Sequence, residues 1–196
     1  MINRKFFFDN VRLNLFGGVL TGKQVQGLTA ILDHWEAKYT QNDDRWLAYM
    51  LATTHHETGR TMQPIEEWGK GKDRLYGKRV KMNRQPYTDT NEIFYGRGFV
   101  QLTWYENYAR ADKELGQNFL HNAAGVMQLS NATNIMFLGM TQGWFTSKKL
   151  SQYFNPTTED WKNARRIING LDKADLIKDY ALKYYASISY TVTLIV

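Results

Sequence analysis

The chain has 196 residues, 43% hydrophobic and 22% charged, a composition that supports a sizeable core and excludes wholesale disorder. It contains no cysteine, which excludes a disulfide framework, a thiolate metal site and a cysteine nucleophile. A net charge of +6 suits an anionic polymer as partner (nucleic acid, anionic lipid or cell wall), although a solvated basic surface is the commoner source of such a balance.

At the N-terminus, Phe6-Phe7-Phe8 follows Arg4 and Lys5, but Asp9 and Asn10 halt the apolar run before it reaches the length of a secretory signal. No window approaches a membrane-spanning length, so no stable membrane insertion is expected. Thr21 predicts the cap of a helix running towards Tyr39, with Leu28, Ile31, Leu32 and Trp35 on one apolar face. Asn42-Asp43-Asp44 is a second capping cluster, its negative charge suited to a helix N-terminus. The helix it opens, about 44–58, is apolar nearly all round and is therefore predicted to be buried. Trp46, Met50, Thr53 and Glu57 share one stripe of it. Glu57 thus ends a packing face at a helix C-terminus, where burial and the macrodipole both favour a protonated carboxyl.

Glycines and prolines break the pattern between Gly59 and Gly98, and Lys70, Lys72, Arg74, Lys78, Arg79, Lys81 and Arg84 crowd there against Asp73. Such a run is ordinarily a solvated loop; its functional alternative is an electrostatic guide for an anionic substrate. Residues 92–102 suggest short β-structure bent at Gly96 and Gly98. Thr103 and Glu106 have the spacing of a capping box for a helix that ends at Gly116. Further helices are predicted over about 131–142, stopped by Gly143, and over about 158–168, with Trp161, Ala164, Arg165 and Ile168 as a stripe. Asp172 is the expected cap of a last helix, with Leu176, Ile177, Tyr180, Ala181 and Tyr184 facing inward. No repeat or linker divides the chain, so residues 1–196 are expected to be one domain, with 189–196 an apolar tail of no assigned role, frayed or packed as an edge strand.

The histidines invite a metal, but a zincin needs His-Glu-x-x-His and Arg60 stands where the second histidine belongs. His55 and His56 point about 100° apart on a helix, and His34 and His121 lack ligand spacing, so no metal and no cofactor is expected. A Gly-x-Ser-x-Gly elbow, a phosphate-binding loop and a nucleic-acid motif are all missing, so nucleic acid is not an expected partner. What remains is a pair of carboxylates. Glycoside hydrolysis needs a protonated acid at the leaving oxygen and an ionised partner opposite it. Glu57 fits the first role, and Glu66 or Glu67, on a Lys-rich loop, fits the second.

The ordered set His56-Glu57-Thr58-Gly59, Tyr95-Gly96-Arg97-Gly98-Phe99-Val100-Gln101-Leu102-Thr103 with Asn107-Tyr108, and Ile167-Ile168-Asn169-Gly170 resembles glycoside hydrolase family 19. Within it, the stretch Leu51 to Gly59 and Thr61 to Glu67 looks like the lysozyme-like bacteriophage and prophage endolysin branch more than the plant chitinases. The resemblance spans about residues 5–188. It implies a mainly α fold, a lysozyme-like two-lobed α-helical domain with a small β-hairpin or sheet beside the cleft, forming a single catalytic domain. It also implies inverting hydrolysis of β-1,4 links beside N-acetylated sugars, with Glu57 as acid and Glu66 as second carboxylate. Tyr95, Gln101, Thr103, Asn107 and Asn169 match substrate-binding positions, and Arg97 a framework position. Thr103 stands where chitinases usually have Ser, and Leu171 follows Asn169-Gly170 in place of a second Gly. The expected substrate is bacterial peptidoglycan, cleaved for cell-wall lysis by a monomer made in the host cytoplasm and released by another factor. The alternatives are a chitinase acting on N-acetylglucosamine polymers and a non-catalytic wall-binding or structural phage protein.

Overall fold

The computed structural model describes residues 1–191. Among them are six α-helices and two ladders of two strands each, the mainly α architecture expected, with a small sheet element beside a cleft. The organising helix is α3 (Asp44–Glu57), which the Asp43 carboxylate opens by accepting from Arg45 N at 3.0 Å. Every residue from Leu47 to His55 is buried. Burying Leu47, Met50 and Leu51 completely contributes roughly 1.5–3 kcal/mol apiece. α6 (Ala174–Ser187) covers α3 most extensively, and α2 (Gly22–Lys38) and α5 (Leu129–Gln142) also pack on it. The cap and stripe predicted for α2 are both present: Thr21 and Gln24 close a reciprocal capping box, and Leu28, Ile31, Leu32 and Trp35 are fully buried. Gly116 and Gly143 end α4 (Tyr105–Leu115) and α5 with φ of 60° and 76°, the left-handed cap that glycine adopts without strain.

One element was not predicted, and three local expectations need correction. The periodicity argument gives no helix at the N-terminus, yet α1 (Arg4–Asn14) forms there. Asn3 caps it, Lys5 pairs with Asp9 one turn on at 2.7 Å, and only Phe7 and Val11 need to face inward, so Asp9 and Asn10 do not end it. The helix expected over 158–168 is instead a hairpin, β3 (Phe154–Asn155) with β4 (Thr158–Glu159), followed by a 3₁₀ turn at Asn163–Ile167. The Asp160 carboxylate holds that turn by accepting from both nitrogens of Asn163, at 3.0 and 2.9 Å. Trp161, Ala164 and Arg165 are buried as the stripe predicts, because an i, i+3 spacing over five residues does not separate α from 3₁₀ geometry. Asp172 is not the cap of α6; Lys173, with φ of 57°, occupies that position with no side-chain cap. Leu176 on α6 is 40% exposed, not inward, whereas Ile177, Ala181 and Tyr184 are fully buried.

The chain ends meet: Asn3 N donates to Ser189 O at 2.7 Å and Thr191 N to Met1 O at 3.0 Å, beside an antiparallel bridge between Ile2 and Tyr190. The start of the tail is therefore joined to the N-terminus by an isolated bridge; its last residues, 192–196, lie outside the described residues. His55 sits inside the core with Nδ1 3.0 Å from the Tyr184 hydroxyl, and burial pushes its imidazole down to about 4. It is a neutral packing residue. Among the described residues no group of three or more His, Asp or Glu is placed to hold a metal, and no helix is long and apolar enough to cross a membrane.

Candidate active site

α3 delivers Glu57 to one wall of a cleft of about 400 Å³, lined also by Tyr76, Gln101, Thr103, Trp104, Asn107, Phe145 and Asn169 among others. Five residues singled out in the sequence therefore come together, from three distant stretches of chain: Glu57, Gln101, Thr103, Asn107 and Asn169. The Glu57 side chain is 16% exposed and its Oε1 accepts from Arg165 Nη1 at 2.6 Å. Arg165 is itself buried, and its Nε donates to the backbone oxygen of Asp172 at 3.1 Å. The lone carboxyl expected at the helix end thus has a fixed counter-charge, and Asp172 contributes a backbone carbonyl to the arrangement where a helix cap was expected. Arg165 was missed as a site residue. The available signal was its position: an arginine on an apolar stripe requires a buried partner.

The segment that leads into the cleft residues Val100–Trp104 begins in the ladder of β1 (Ile65–Glu66) with β2 (Arg97–Gly98), whose register sets Glu66 directly across from Arg97. Glu66 Oε1 accepts from the Tyr95 hydroxyl at 2.8 Å and from Arg97 Nε at 3.2 Å, and Lys70 Nζ lies 3.6 Å from Oε2. These contacts, the Tyr95 bond first and then Arg97, outweigh desolvation and hold the Glu66 carboxyl below the usual glutamate range. Arg97 is 5% exposed, stacks 3.5 Å from the Tyr95 ring centre and donates to Ile93 O and the Tyr108 hydroxyl. Neither Glu66 nor Tyr95 is part of the cleft lining itself. Glu67, next in sequence, has both oxygens engaged: Tyr76 OH donates to one at 2.8 Å and Gly96 N to the other at 3.1 Å.

The cleft segment itself is a distorted run. Gln101 and Trp104 have φ of 52° and 73°, conformations that cost non-glycine residues on the order of 1–3 kcal/mol each and that gather at functional sites. Gln101 Nε2 is tied to Ile65 O at 3.0 Å, and a Cβ on Gly96 would fall 2.8 Å from Gln101 Oε1, so a side chain there would displace the Gln101 amide. The capping box expected from Thr103 and Glu106 is absent. α4 starts at Tyr105 behind Trp104 with no side-chain cap, and Glu106 Oε1 accepts from Met82 N at 2.8 Å instead. The Thr103 side chain is thereby left to the cleft, and Asn107 Nδ2 is anchored on Thr103 O at 2.9 Å. The basic stretch is only partly a free electrostatic surface: Arg79 is bound to Thr90 O and Lys81 lies 4.8 Å from the Tyr105 ring centre, whereas Lys72, Arg74, Lys78 and Arg84 are exposed.

A mainly α fold with a carboxyl at the end of a buried helix, facing a polar cleft beside a two-stranded ladder, fits a glycosidase of lysozyme-like fold. The chain belongs to glycoside hydrolase family 19: the family model described as chitinase class I matches residues 33–166, a span that includes Glu57, Glu66 and Arg165. No curated protein matches the sequence. Three solved structures share the fold. A bacterial family 19 chitinase is 21% identical, covering 93% of this chain and 92% of its own, at a TM-score of 0.57. Chitinase C from Streptomyces griseus HUT6037 is 22% identical, with coverages of 91% and 72% and a TM-score of 0.54. A class IV chitinase from Zea mays is 18% identical, with coverages of 86% and 84% and a TM-score of 0.52.

Proposed function

We propose that this glycosidase cleaves β-1,4 bonds of bacterial peptidoglycan with inversion, acting as an endolysin of the bacteriophage and prophage type. The observation that carries this reading is a pair of carboxyls in different surroundings: Glu57 on the cleft wall and Glu66 on the β1–β2 ladder, held in its charged form. Glu57 gives a proton from Oε2 to the leaving oxygen as the glycosidic bond breaks, and Arg165, held on Oε1, meets the carboxylate that this leaves. Glu66 takes the proton of the attacking water, with Oε1 fixed by Tyr95 and Arg97 and Oε2 as the accepting atom. Glu67, with both oxygens in the framework, is not free for that role. Gln101, Thr103, Asn107 and Asn169 offer the amides and hydroxyl that orient N-acetyl groups and water. Tyr95 acts through Glu66. The protein works as a monomer of one domain, made in the host cytoplasm and carried to the wall by a separate release factor. The excess of positive charge suits an anionic wall better than neutral chitin.

The second reading, a chitinase acting on N-acetylglucosamine polymers, is favoured by the family model's own description. Parallel digestion of purified sacculi and of chitin oligomers, with mass spectrometry of the new reducing ends, separates the two. Soluble muropeptides are expected from sacculi, and their reducing sugar identifies the bond cut. Release from chitin with sacculi untouched would establish the chitinase. The base assignment makes a pH prediction. Tyr95→Phe removes the leading contact that lowers the Glu66 pKa, so the acid limb of kcat/KM should move to higher pH. An unmoved limb in a folded variant would take Glu66 out of the base role.

A further inference from the structure

Trp68, two residues beyond Glu66, is the most exposed large hydrophobic residue described, at 101% of its reference surface. An indole in that position adds nothing to the core, and the loop that bears it is not free to bury it. Turns at Lys70, Lys72, Arg74 and Gly77 each close a backbone hydrogen bond of 2.8 to 3.1 Å. The loop pinches on itself at Gly71 and Gly77, where a Cβ on Gly77 would fall 1.8 Å from Gly71 O and one on Gly71 2.6 Å from Gly77 Cα. Glu67 ties the loop to Gly96 and, across the loop itself, to Tyr76, and burial followed by the Glu67 contact pushes the Tyr76 hydroxyl up to about 12, keeping it a donor. The result is a pinned loop that reaches the cleft at Tyr76 and carries a bare indole together with the exposed side chains of Lys70, Lys72, Asp73 and Arg74.

We propose that the 68–74 part of this loop is an anchoring platform for an anionic N-acetylated glycan outside the cleft. Trp68 stacks on the apolar face of a sugar ring, and Lys72 and Arg74 meet carboxylates of the same polymer. Pre-organisation is what makes the platform effective, since no loop entropy is lost on binding. The carboxylates rest on the peptidoglycan reading; the stacking does not. The experiment is co-sedimentation of the E57Q protein with purified sacculi, with chitin, and with phosphatidylglycerol vesicles, alongside its W68A and K72A/R74A derivatives. W68A should weaken sacculus binding roughly tenfold, the scale of one lost aromatic contact. K72A/R74A should weaken binding to sacculi and not to chitin, and should flatten the salt dependence. With Glu57 intact, W68A should hydrolyse a short soluble N-acetylglucosamine oligomer as well as the parent. Sacculus binding unchanged in W68A overturns the platform. So does an equal loss on the short oligomer, which would put Trp68 in the cleft, or a loss confined to vesicles, which would make the loop a lipid anchor. If the parent digests chitin alone, the peptidoglycan reading falls, and the binding comparison still decides whether Trp68 holds glycan.

Discussion

Glu57→Gln is expected to reduce hydrolysis by about 10²–10⁴-fold, the usual scale of a positioned general acid, with a folded, cooperative protein whose thermal transition is lowered because the buried Arg165 guanidinium loses its counter-charge. The substitution keeps the shape of the side chain and an oxygen that accepts from Arg165, so packing of the α3 end is preserved while the transferable proton is lost. KM should change little, because the acid acts on the leaving oxygen in the transition state and not on ground-state binding. Release of new reducing ends, measured beside the far-ultraviolet melting curve, checks both halves. A folded variant that retained most of the parent's turnover would remove Glu57 from the acid role.

Arg165→Met carries the largest expected stability effect. Arg165 and Glu57 are 4% and 16% exposed, so removing the guanidinium leaves a nearly buried carboxylate with no counter-charge. Breaking a buried pair in this way costs about 3–5 kcal/mol, a fall in Tm of roughly 10 °C for a chain of this size. The Asp172 carbonyl loses a donor at the same time, loosening the turn into α6. Adding Glu57→Gln to Arg165→Met should restore part of the loss, because no charge then remains to be stranded. If Arg165→Met melted with the parent, solvent would have to reach the pair more freely than its burial allows. A differential scanning calorimetry cycle of the four proteins measures the coupling directly.

Long, strongly periodic elements were legible in the sequence. Leu28, Ile31, Leu32 and Trp35 marked one face of α2, the all-apolar character of α3 marked its burial, and Gly116 and Gly143 marked helix ends. Elements shorter than two turns were not. Over Asn163–Ile167 a buried stripe is compatible with either α or 3₁₀ geometry, and hairpins of two-residue strands carry no period at all. Side-chain caps were legible at Thr21 and Asp43 and missed at Asn3, and caps set by backbone geometry, at Trp104 and Lys173, were misplaced.

By itself the sequence determined the mainly α class, the buried helix that ends at Glu57, and, through its ordered motifs, the family resemblance. These depend on local pattern, and local pattern is carried by neighbouring residues. Only the tertiary structure decided that Arg165 reaches Glu57 across 108 positions, that Glu66 is wired to Tyr95 and Arg97 while Glu67 is locked to Tyr76 and Gly96, and that Trp68 stands bare on its loop. Each of those facts depends on which buried charge finds which partner once the helices and ladders pack together, and no spacing along the chain encodes that choice.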